Sequence, residues 1–156
     1  MRVEEGKVEE AWIRRVRRLK VEAEKLGVEA YLCLTPPDIQ YFTGSPDAGK
    51  LSYGLLVPLE GEKLTLFTPK LGAVQLAKQL SRKIEIKALK LGDSPAKEIS
   101  SEIRKFSSVA FDDFSYSGIK RITGEAGSVR FEAHPEIPQK LRLVKDEAEI
   151  KAIREA

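Results

Sequence analysis

The amino-acid sequence predicts an α/β domain with one mixed sheet of six strands and helices on both faces. Segments in which apolar residues recur every three or four positions alternate with short apolar runs, as in proteins that layer helices on a sheet. Two of these runs are separated only by Glu60-Gly61-Glu62, which is short enough for a hairpin. That pair is therefore antiparallel, and the sheet is mixed rather than purely parallel.

The first helix is predicted over residues 9–26, with Gly27 as its stop. Its apolar stripe consists of Trp12, Val16, Leu19, Ala23 and Leu26. A basic run on the same helix consists of Arg14, Arg15, Arg17 and Arg18. This run is either a phosphate-binding patch or the solvated face of an amphipathic helix. Acidic neighbours and a net charge of only +3 favour the solvated face, so a nucleic-acid partner is not expected.

The other elements follow from the same patterns. Strands are predicted at residues 28–34, 51–59, 63–68, 83–89, 108–111 and 128–131. Further helices are predicted at residues 70–80, 94–106 and 114–125, the second of them starting with Ser94 as cap and Pro95 as first residue. Asp38 is predicted to cap a short helical turn, and the composition of residues 43–50 predicts a loop. Cys33 lies inside the first strand, where a thiol is most simply a small core residue.

The C-terminal part is predicted to leave the sheet. Two prolines in residues 134–138 are typical of the start of a linker, and residues 139–156 then carry helical spacing up to Ala156. A last helix normally ends in capping residues, and none follow here. We therefore expect residues 1–138 to form one domain and residues 139–156 to be a linker and the start of a helix. That helix is expected to lead into a further domain of a longer protein.

The composition excludes several kinds of site within this sequence. One Cys cannot form an intrachain disulfide or a thiolate metal cage, and the one His, His134, lies in a predicted loop and is expected to be exposed. Phosphate-loop, dinucleotide-binding and nucleophile-elbow motifs are absent from the sequence. Asp112 and Asp113 are adjacent at a strand end, where their side chains would diverge, which favours a cap or a turn. We therefore predict neither catalytic nor metal-binding residues in this chain.

Location and source are also predicted from composition. No apolar run approaches the roughly 18 residues that a membrane span needs, and residues 1–7 lack the apolar region of a secretory signal. A cytoplasmic location without a membrane partner is expected. Abundant Lys, Arg and Glu with no Asn is the bias reported for hyperthermophile proteins, so a thermophilic source is predicted.

Two stretches of the sequence resemble a known family. Residues 18–44, RLKVEAEKLGVEAYLCLTPPDIQYFTG, are similar to the opening of the creatinase/prolidase N-terminal domain, which occurs in Xaa-Pro dipeptidases and Xaa-Pro aminopeptidases. The family pattern Pro-x-Asn-Ile-x-Tyr-Leu-Thr-Gly is matched at Pro37, Ile39, Tyr41, Thr43 and Gly44. Asp38 replaces the usual Asn, and Phe42 replaces the usual Leu.

The second stretch, residues 141–156, resembles the segment that leads into the family's catalytic domain. Its pattern of Arg, Lys and Glu followed by Ile is matched at Arg142, Lys145, Glu149 and Ile150. Residues 50–138 agree with the family only in their order of elements. The resemblance implies a ribonuclease H-like fold for the domain.

The resemblance also implies a function. Full-length members hydrolyse the bond before proline with two divalent metals, commonly Mn, Co or Zn, which a C-terminal domain binds through two Asp, one His and two Glu. That domain would begin near Leu141, so none of these ligands can be assigned to this sequence. The chain is then a non-catalytic domain without a cofactor of its own, from a protein that acts on peptides. Dipeptidase and aminopeptidase remain open.

Dimerisation is a further implication of the resemblance. In the family this domain contributes to a homodimer and reaches toward the active site of the partner subunit. The loop after the first motif lies in that region, so Ser45, Pro46, Asp47 and Lys50 are candidates for a loop that acts across the subunits. The alternative is an ordinary flexible connection.

Two rival functions stay open at this stage. One is a stand-alone peptide- or protein-binding module of the same fold, like the catalytically inactive relatives that include a domain of a histone chaperone. The other is a nucleic-acid binder that uses the basic helix, which predicts salt-dependent DNA binding.

Overall fold

Six strands form a single mixed sheet. The protein is described by a computed structural model that covers the backbone of residues 2–156 and the side chains of residues 11–147 and 149–156. The strands are β1 (Ala30–Cys33), β2 (Gly54–Pro58), β3 (Leu64–Pro69), β4 (Ile84–Leu89), β5 (Ser108–Phe111) and β6 (Arg130–Ala133). Their order in the sheet is β4-β3-β2-β1-β5-β6. The β1–β2 and β2–β3 pairs are antiparallel, and the other three are parallel. The predicted mixed, six-stranded sheet is confirmed.

Helices cover both faces of this sheet. Those described are α1 (Arg2–Glu24), α2 (Pro36–Thr43), α3 (Pro46–Leu51), α4 (Lys70–Gln79), α5 (Pro95–Ile103), α6 (Tyr116–Ala126), α7 (Glu136–Leu143) and α8 (Glu147–Glu155). None of the helices in the described part of the chain has the length and apolarity needed to cross a bilayer. The predicted hairpin joins β2 to β3, and Gly61 in its turn has a φ of 81°, which a residue without a Cβ adopts freely.

The alternation of side chains along β1 divides the core in two. Tyr31 and Cys33 face a cluster that contains the apolar sides of α1, α2, α4 and α7. Ala30 and Leu32 face the opposite cluster, which α5 and α6 cover. Successive side chains of a strand point to opposite faces, so a strand with four buried residues needs a helical layer on each side. Cys33 is fully buried and is a core residue, as predicted.

Helix α1 supports one of these layers and is longer than predicted, because it begins at Arg2 rather than near residue 9. Trp12, Val16, Leu19 and Ala23 are each less than 5% exposed, so the predicted apolar stripe is confirmed. Arg15 departs from the prediction of a solvated basic face, because it too is buried.

The segment after β1 contains more helix than predicted. Thr35 is the N-cap of α2, because the two prolines that follow it occupy the first-turn positions where a missing N–H group costs no hydrogen bond. The prediction that Asp38 caps this helix is wrong, since Asp38 lies inside the first turn. Residues 46–50, predicted as loop, and Leu51, predicted as the start of a strand, form α3, whose N-cap Ser45 accepts a hydrogen bond from the backbone N of Ala48 at 3.2 Å.

The C-terminal residues form two helices rather than one. Helix α7 begins within the segment predicted as the start of a linker, and its Ile137 and Leu141 are buried in the core beside α1. Val144 has extended backbone angles and ends the helical run. Asp146 then begins α8 as a new N-cap. The helical spacing of apolar residues in 139–156 therefore continues across the turn that separates α7 from α8.

Candidate functional site

The two sequence motifs meet on one side of the domain, although they lie at opposite ends of the chain. The Tyr41 hydroxyl on α2 donates a hydrogen bond to the carbonyl of Leu141 on α7 at 3.2 Å. The Nη1 atom of Arg142 lies 3.1 Å from Oδ1 of Asp38. Residues that the resemblance singled out in each motif therefore attach α7 to α2.

Arg15 on α1 forms a second connection. Its Nε donates to Oδ2 of Asp146 at 2.7 Å, its Nη1 donates to the carbonyl of Tyr41 at 3.0 Å, and its guanidinium carbon lies 4.6 Å from the Tyr41 ring centroid. Burial opposes ionisation of Asp146, but the hydrogen bond and charge of Arg15 outweigh it, and the pKa of Asp146 is lowered. Arg15 therefore links α1 to α2 and to the N-terminus of α8, and the Asp146 carboxylate neutralises its positive charge.

Glu149 and Lys145 organise the turn between α7 and α8. The backbone N of Glu149 donates to the Asp146 carboxylate at 2.9 Å, and the Glu149 carboxylate accepts from the backbone N of Asp146 at 3.0 Å. This reciprocal pair is a capping box, which fixes where a helix begins. The Lys145 ammonium donates to the carbonyl of Arg142 near the end of α7. These contacts between residues of the second motif thus fix the turn that joins α7 to α8.

A cavity of about 440 Å³ lies at this junction. Both motifs and α1 contribute to its walls, which are formed by Ala11, Arg15, Pro37, Gln40, Tyr41, Gly44, Pro46, Arg142, Glu149 and Ala152. Its volume is in the range of small-ligand pockets, about 300–1,000 Å³. The lining side chains can bind and orient a polar group, but they include no Cys, Ser or His, and the carboxylate of Glu149 is engaged in the capping box with Asp146.

Asp112 and Asp38 form a buried carboxyl pair beneath this junction, with 1% and 4% of their surfaces exposed. Asp112 accepts hydrogen bonds from the backbone N of Leu34 at 2.7 Å, from the backbone N of Thr35 at 3.1 Å and from the Thr35 hydroxyl at 2.8 Å. The cap or turn predicted at Asp112 is not what the structure shows, because its carboxylate instead holds the segment that follows β1. Asp113 is exposed, so the two adjacent carboxyls diverge as expected.

Burial raises the pKa of Asp38 to about 7, a hydrogen bond to Asp112 and its charge add to the rise, and Arg142 opposes it. The contact with Arg142 is close, but its angles do not make a hydrogen bond. Asp38 Oδ1 is therefore a buried oxygen without a hydrogen bond among the described residues. This pairing of two carboxyls is not visible in the sequence, because it depends on the adjacent ends of β1 and β5.

The four residues of the candidate trans-subunit loop divide into two pairs. Ser45 caps α3 and donates from its hydroxyl to Oε1 of Gln79 on α4 at 3.3 Å. The Asp47 carboxylate accepts from the side-chain amides of Gln75 and Gln79 at 3.1 and 2.9 Å. Pro46 and Lys50 are exposed on the outer side of α3. The first pair therefore positions α3, and the second pair is available to a partner.

The close approach of α3 to α2 gives a first testable prediction. A Cβ at Gly49 would lie 2.7 Å from the carbonyl oxygen of Pro36 and 3.2 Å from Cβ of Gln40. We expect Gly49→Ala to lower the free energy of unfolding by about 1–3 kcal/mol, because backbone atoms must move apart. Chemical denaturation measures this change. The matched control is Gly124→Ala within α6, where a Cβ meets nothing within 4 Å; it should be neutral or stabilising by about 0.5–1 kcal/mol. Equal effects of the two substitutions would contradict the prediction.

His134, expected to be exposed, is instead partly buried after β6. Its Nδ1 lies 2.8 Å from Oε1 of Glu136, and its Nε2 lies 3.3 Å from Oε2 of Glu132. The hydrogen bond to Glu136 raises the pKa of His134 most, and Glu132 adds to the rise. Within the part of the chain that the structure describes, no three His, Cys, Asp or Glu side chains come together as metal ligands.

Comparisons with known proteins agree with this fold. No curated protein matches the sequence. The chain aligns with the structure of the prolidase from Pyrococcus horikoshii OT3 at 20% identity and a TM-score of 0.73, over 92% of this chain and 39% of that one. It aligns with an Xaa-Pro dipeptidase from Bacillus anthracis at 20% identity and a TM-score of 0.78, over 93% of this chain and 39% of that one.

A third structure is the N-terminal domain of the cytoplasmic peptidase PepQ from Mycobacterium tuberculosis H37Rv, at 17% identity and a TM-score of 0.67, over 83% of this chain and 98% of that domain. At these identities the alignments establish the fold. The family model described as the Creatinase/Prolidase N-terminal domain matches residues 15–144, which include all of the first motif and residues 141–144 of the second. The chain therefore belongs to the creatinase/prolidase N-terminal domain family.

Proposed function

We propose that this chain is the non-catalytic N-terminal domain of a proline-specific metallopeptidase, an Xaa-Pro dipeptidase or aminopeptidase. The family match over residues 15–144 carries this proposal. The lengths support it as well, since the chain spans only 39% of the two full peptidases named above. In this proposal the remaining length of the protein supplies the catalytic domain, and residues 139–156 lead into it.

The side chains that the structure describes do not fit the two divalent metals that such a peptidase uses. Asp38 and Asp112 are the most buried carboxyls, but they face Arg142 and the N–H groups of Leu34 and Thr35, which exclude a cation. The metals, Mn, Co or Zn in the family, would be bound by the catalytic domain. There they would activate the water that attacks the peptide bond before proline.

The surface of α7 and α8 supports a contact with that domain. Leu143, Val144 and Ile153 have more than 60% of their surfaces exposed, and they lie at the end of α7, just after it and near the end of α8. Exposed apolar side chains of this kind are candidates for an interaction surface. We propose that these three residues pack against the catalytic domain. The contacts of Arg15 with Asp146 and of Arg142 with Asp38 would then fix the orientation of α7 and α8 relative to that domain.

The exposed part of α3 supports the second half of the proposal. Pro46 and Lys50 stand on a short helix that is fixed to α4 through Asp47 and Gln79. A rigid supporting helix suits a side chain that must reach a substrate bound to another part of the assembly. In the proposed homodimer, Lys50 would approach the active site of the partner subunit and influence access of the peptide.

The pure 156-residue chain tests this function. We expect it to leave Xaa-Pro dipeptides and longer Xaa-Pro peptides intact in the presence of Mn²⁺, Co²⁺ or Zn²⁺, because it contains no set of metal ligands among its described residues. Hydrolysis is measured by release of free proline or of the N-terminal residue, with buffer and metal alone as the control. Cleavage that co-purifies with the chain would overturn the proposal. Tight binding of a peptide without cleavage would favour the alternative, a stand-alone binding module.

A further inference from the structure

The carboxyl pair lies where the chain changes direction in the sheet. β1 and β5 are adjacent and parallel, but the chain leaves β1 toward β2 and leaves β5 toward β6, on the other side. Such a point leaves a crevice at the carboxyl ends of the strands. Here α2 closes the crevice, and both Asp38 and Asp112 are buried there, where the charge of Asp112 contributes to the raised pKa of Asp38.

Two buried carboxyls in contact cannot both be ionised cheaply, because each charge loses its hydration and repels the other. The oxygens of Asp112 already accept hydrogen bonds from two backbone N–H groups and one hydroxyl. The ionised form of Asp38 is favoured by Arg142 and by the Thr35 hydroxyl, but its Oδ1 accepts no hydrogen bond among the described residues. The proton therefore resides on Asp38, where it can bridge to the carboxylate of Asp112.

The groups packed around Asp38 do not remove this repulsion. On β1 they are Tyr31 and Cys33, whose pKa values burial raises, so both are neutral and supply no positive charge. On α7, Arg142 faces Asp38 through a side chain that is 32% exposed and hence partly screened, and Glu136, which acts on the neighbouring Tyr31, is negative. Arg15 on α1 is paired with Asp146 instead.

We propose that Asp38 and Asp112 share one proton that holds helix α2 against the ends of β1 and β5, and that its loss at rising pH loosens α2 together with the α3 helix that follows it. The opening of α2 depends on pH because the closed form binds the proton more tightly than the open form. When α2 lifts, Asp38 becomes hydrated and ionises as an ordinary carboxyl. Opening thus releases a proton and becomes easier as pH rises.

Hydrogen exchange of the α2 amides tests this pH dependence in the full chain. The amides of Ile39 and Gly44, bonded to the carbonyls of Thr35 and Gln40, report on opening of α2, and those of β1 report on global unfolding. After correction for intrinsic rates, we expect the opening constant of α2 to rise up to about tenfold per pH unit between pH 5 and 7 and then to level off. The same amides in Asp38→Asn should show no such rise. Asp113→Asn, at the exposed neighbour, should behave like the unmodified chain.

Two results would overturn the proposal. One is an equal pH dependence of α2 exchange in the unmodified chain and in Asp38→Asn. The other is exchange of α2 only through the global unfolding that β1 reports. A carboxyl ¹³C titration provides a second readout that does not require the variant. One of the two carboxyls should titrate near neutral pH, and titration of both below pH 5 would also overturn the proposal.

Discussion

Asp112→Ala is expected to lower the free energy of unfolding by about 3 kcal/mol at neutral pH, since each buried donor left without a partner costs about 1–3 kcal/mol. The substitution removes the acceptor of three hydrogen bonds, from the backbone N of Leu34 and from the backbone N and hydroxyl of Thr35. Relief of the repulsion with Asp38 offsets part of the loss. For a chain of this length, the melting temperature should fall by about 6–12 °C.

The neighbouring carboxyl supplies the control for this prediction. Asp113 is exposed, so Asp113→Ala should change the free energy of unfolding by no more than about 0.5 kcal/mol. Chemical denaturation of both variants at pH 7 measures the difference. Similar small effects for both would mean that water replaces the Asp112 carboxylate at the end of β1, and the structural role assigned to this residue would be wrong.

The sheet and its layers were predictable because they depend on local patterns. β1 is apolar at every position, which indicates burial on both faces, and Gly61 between two apolar runs indicates a hairpin. Ser94 followed by Pro95 predicted the start of α5, and the Ser94 side chain does accept from the backbone N of Lys97. Each of these signals lies within a few residues of the feature that it predicts.

Two of the missed features had local signals of the same kind. Ser45 followed by Pro46 repeats the Ser94-Pro95 signature, and it begins α3 within the predicted loop. Asp146 followed three residues later by Glu149 is a capping-box sequence, and it divides the predicted C-terminal helix. In both places the prediction followed the pattern of a longer segment, its composition at residues 43–50 and its helical spacing at residues 139–156, and not the capping residues.

The candidate site itself could not be derived from such signals. The contact of Arg15 with Asp146 joins residues 131 positions apart, and nothing near either residue indicates the other. The Asp38–Asp112 pair depends on which strands are neighbours in the sheet, since β1 and β5 are adjacent although three strands separate them in sequence. The resemblance marked Asp38, Arg142 and Glu149 as motif residues, but it is the tertiary structure that assigns them their contacts.

Asp38→Asn is expected to make the protein more stable at neutral and alkaline pH but not at acid pH. Burial, with Asp112, raises the pKa of Asp38 from its usual 3.8 to about 7. Between these values the folded chain binds a proton that the unfolded chain has released, so stability falls as pH rises from about 4 to about 7. A shift of three pKa units corresponds to about 4 kcal/mol. The amide does not titrate and can donate to Asp112 in place of the proton, so the variant is free of this loss.

The difference between the two proteins isolates this effect from the rest of the acid titration. Asp146 and Glu102 have lowered pKa values, and their contributions are lost as pH falls, but both proteins share them. The unfolding free energy of Asp38→Asn minus that of the unmodified chain should therefore be near its minimum at pH 4. It should rise by up to about 1.4 kcal/mol per pH unit and become constant above about pH 7.5. Urea denaturation at half-unit pH intervals measures this curve. A difference that stays constant with pH would show that Asp38 is ionised in the folded protein, and the shared proton would then have to be abandoned.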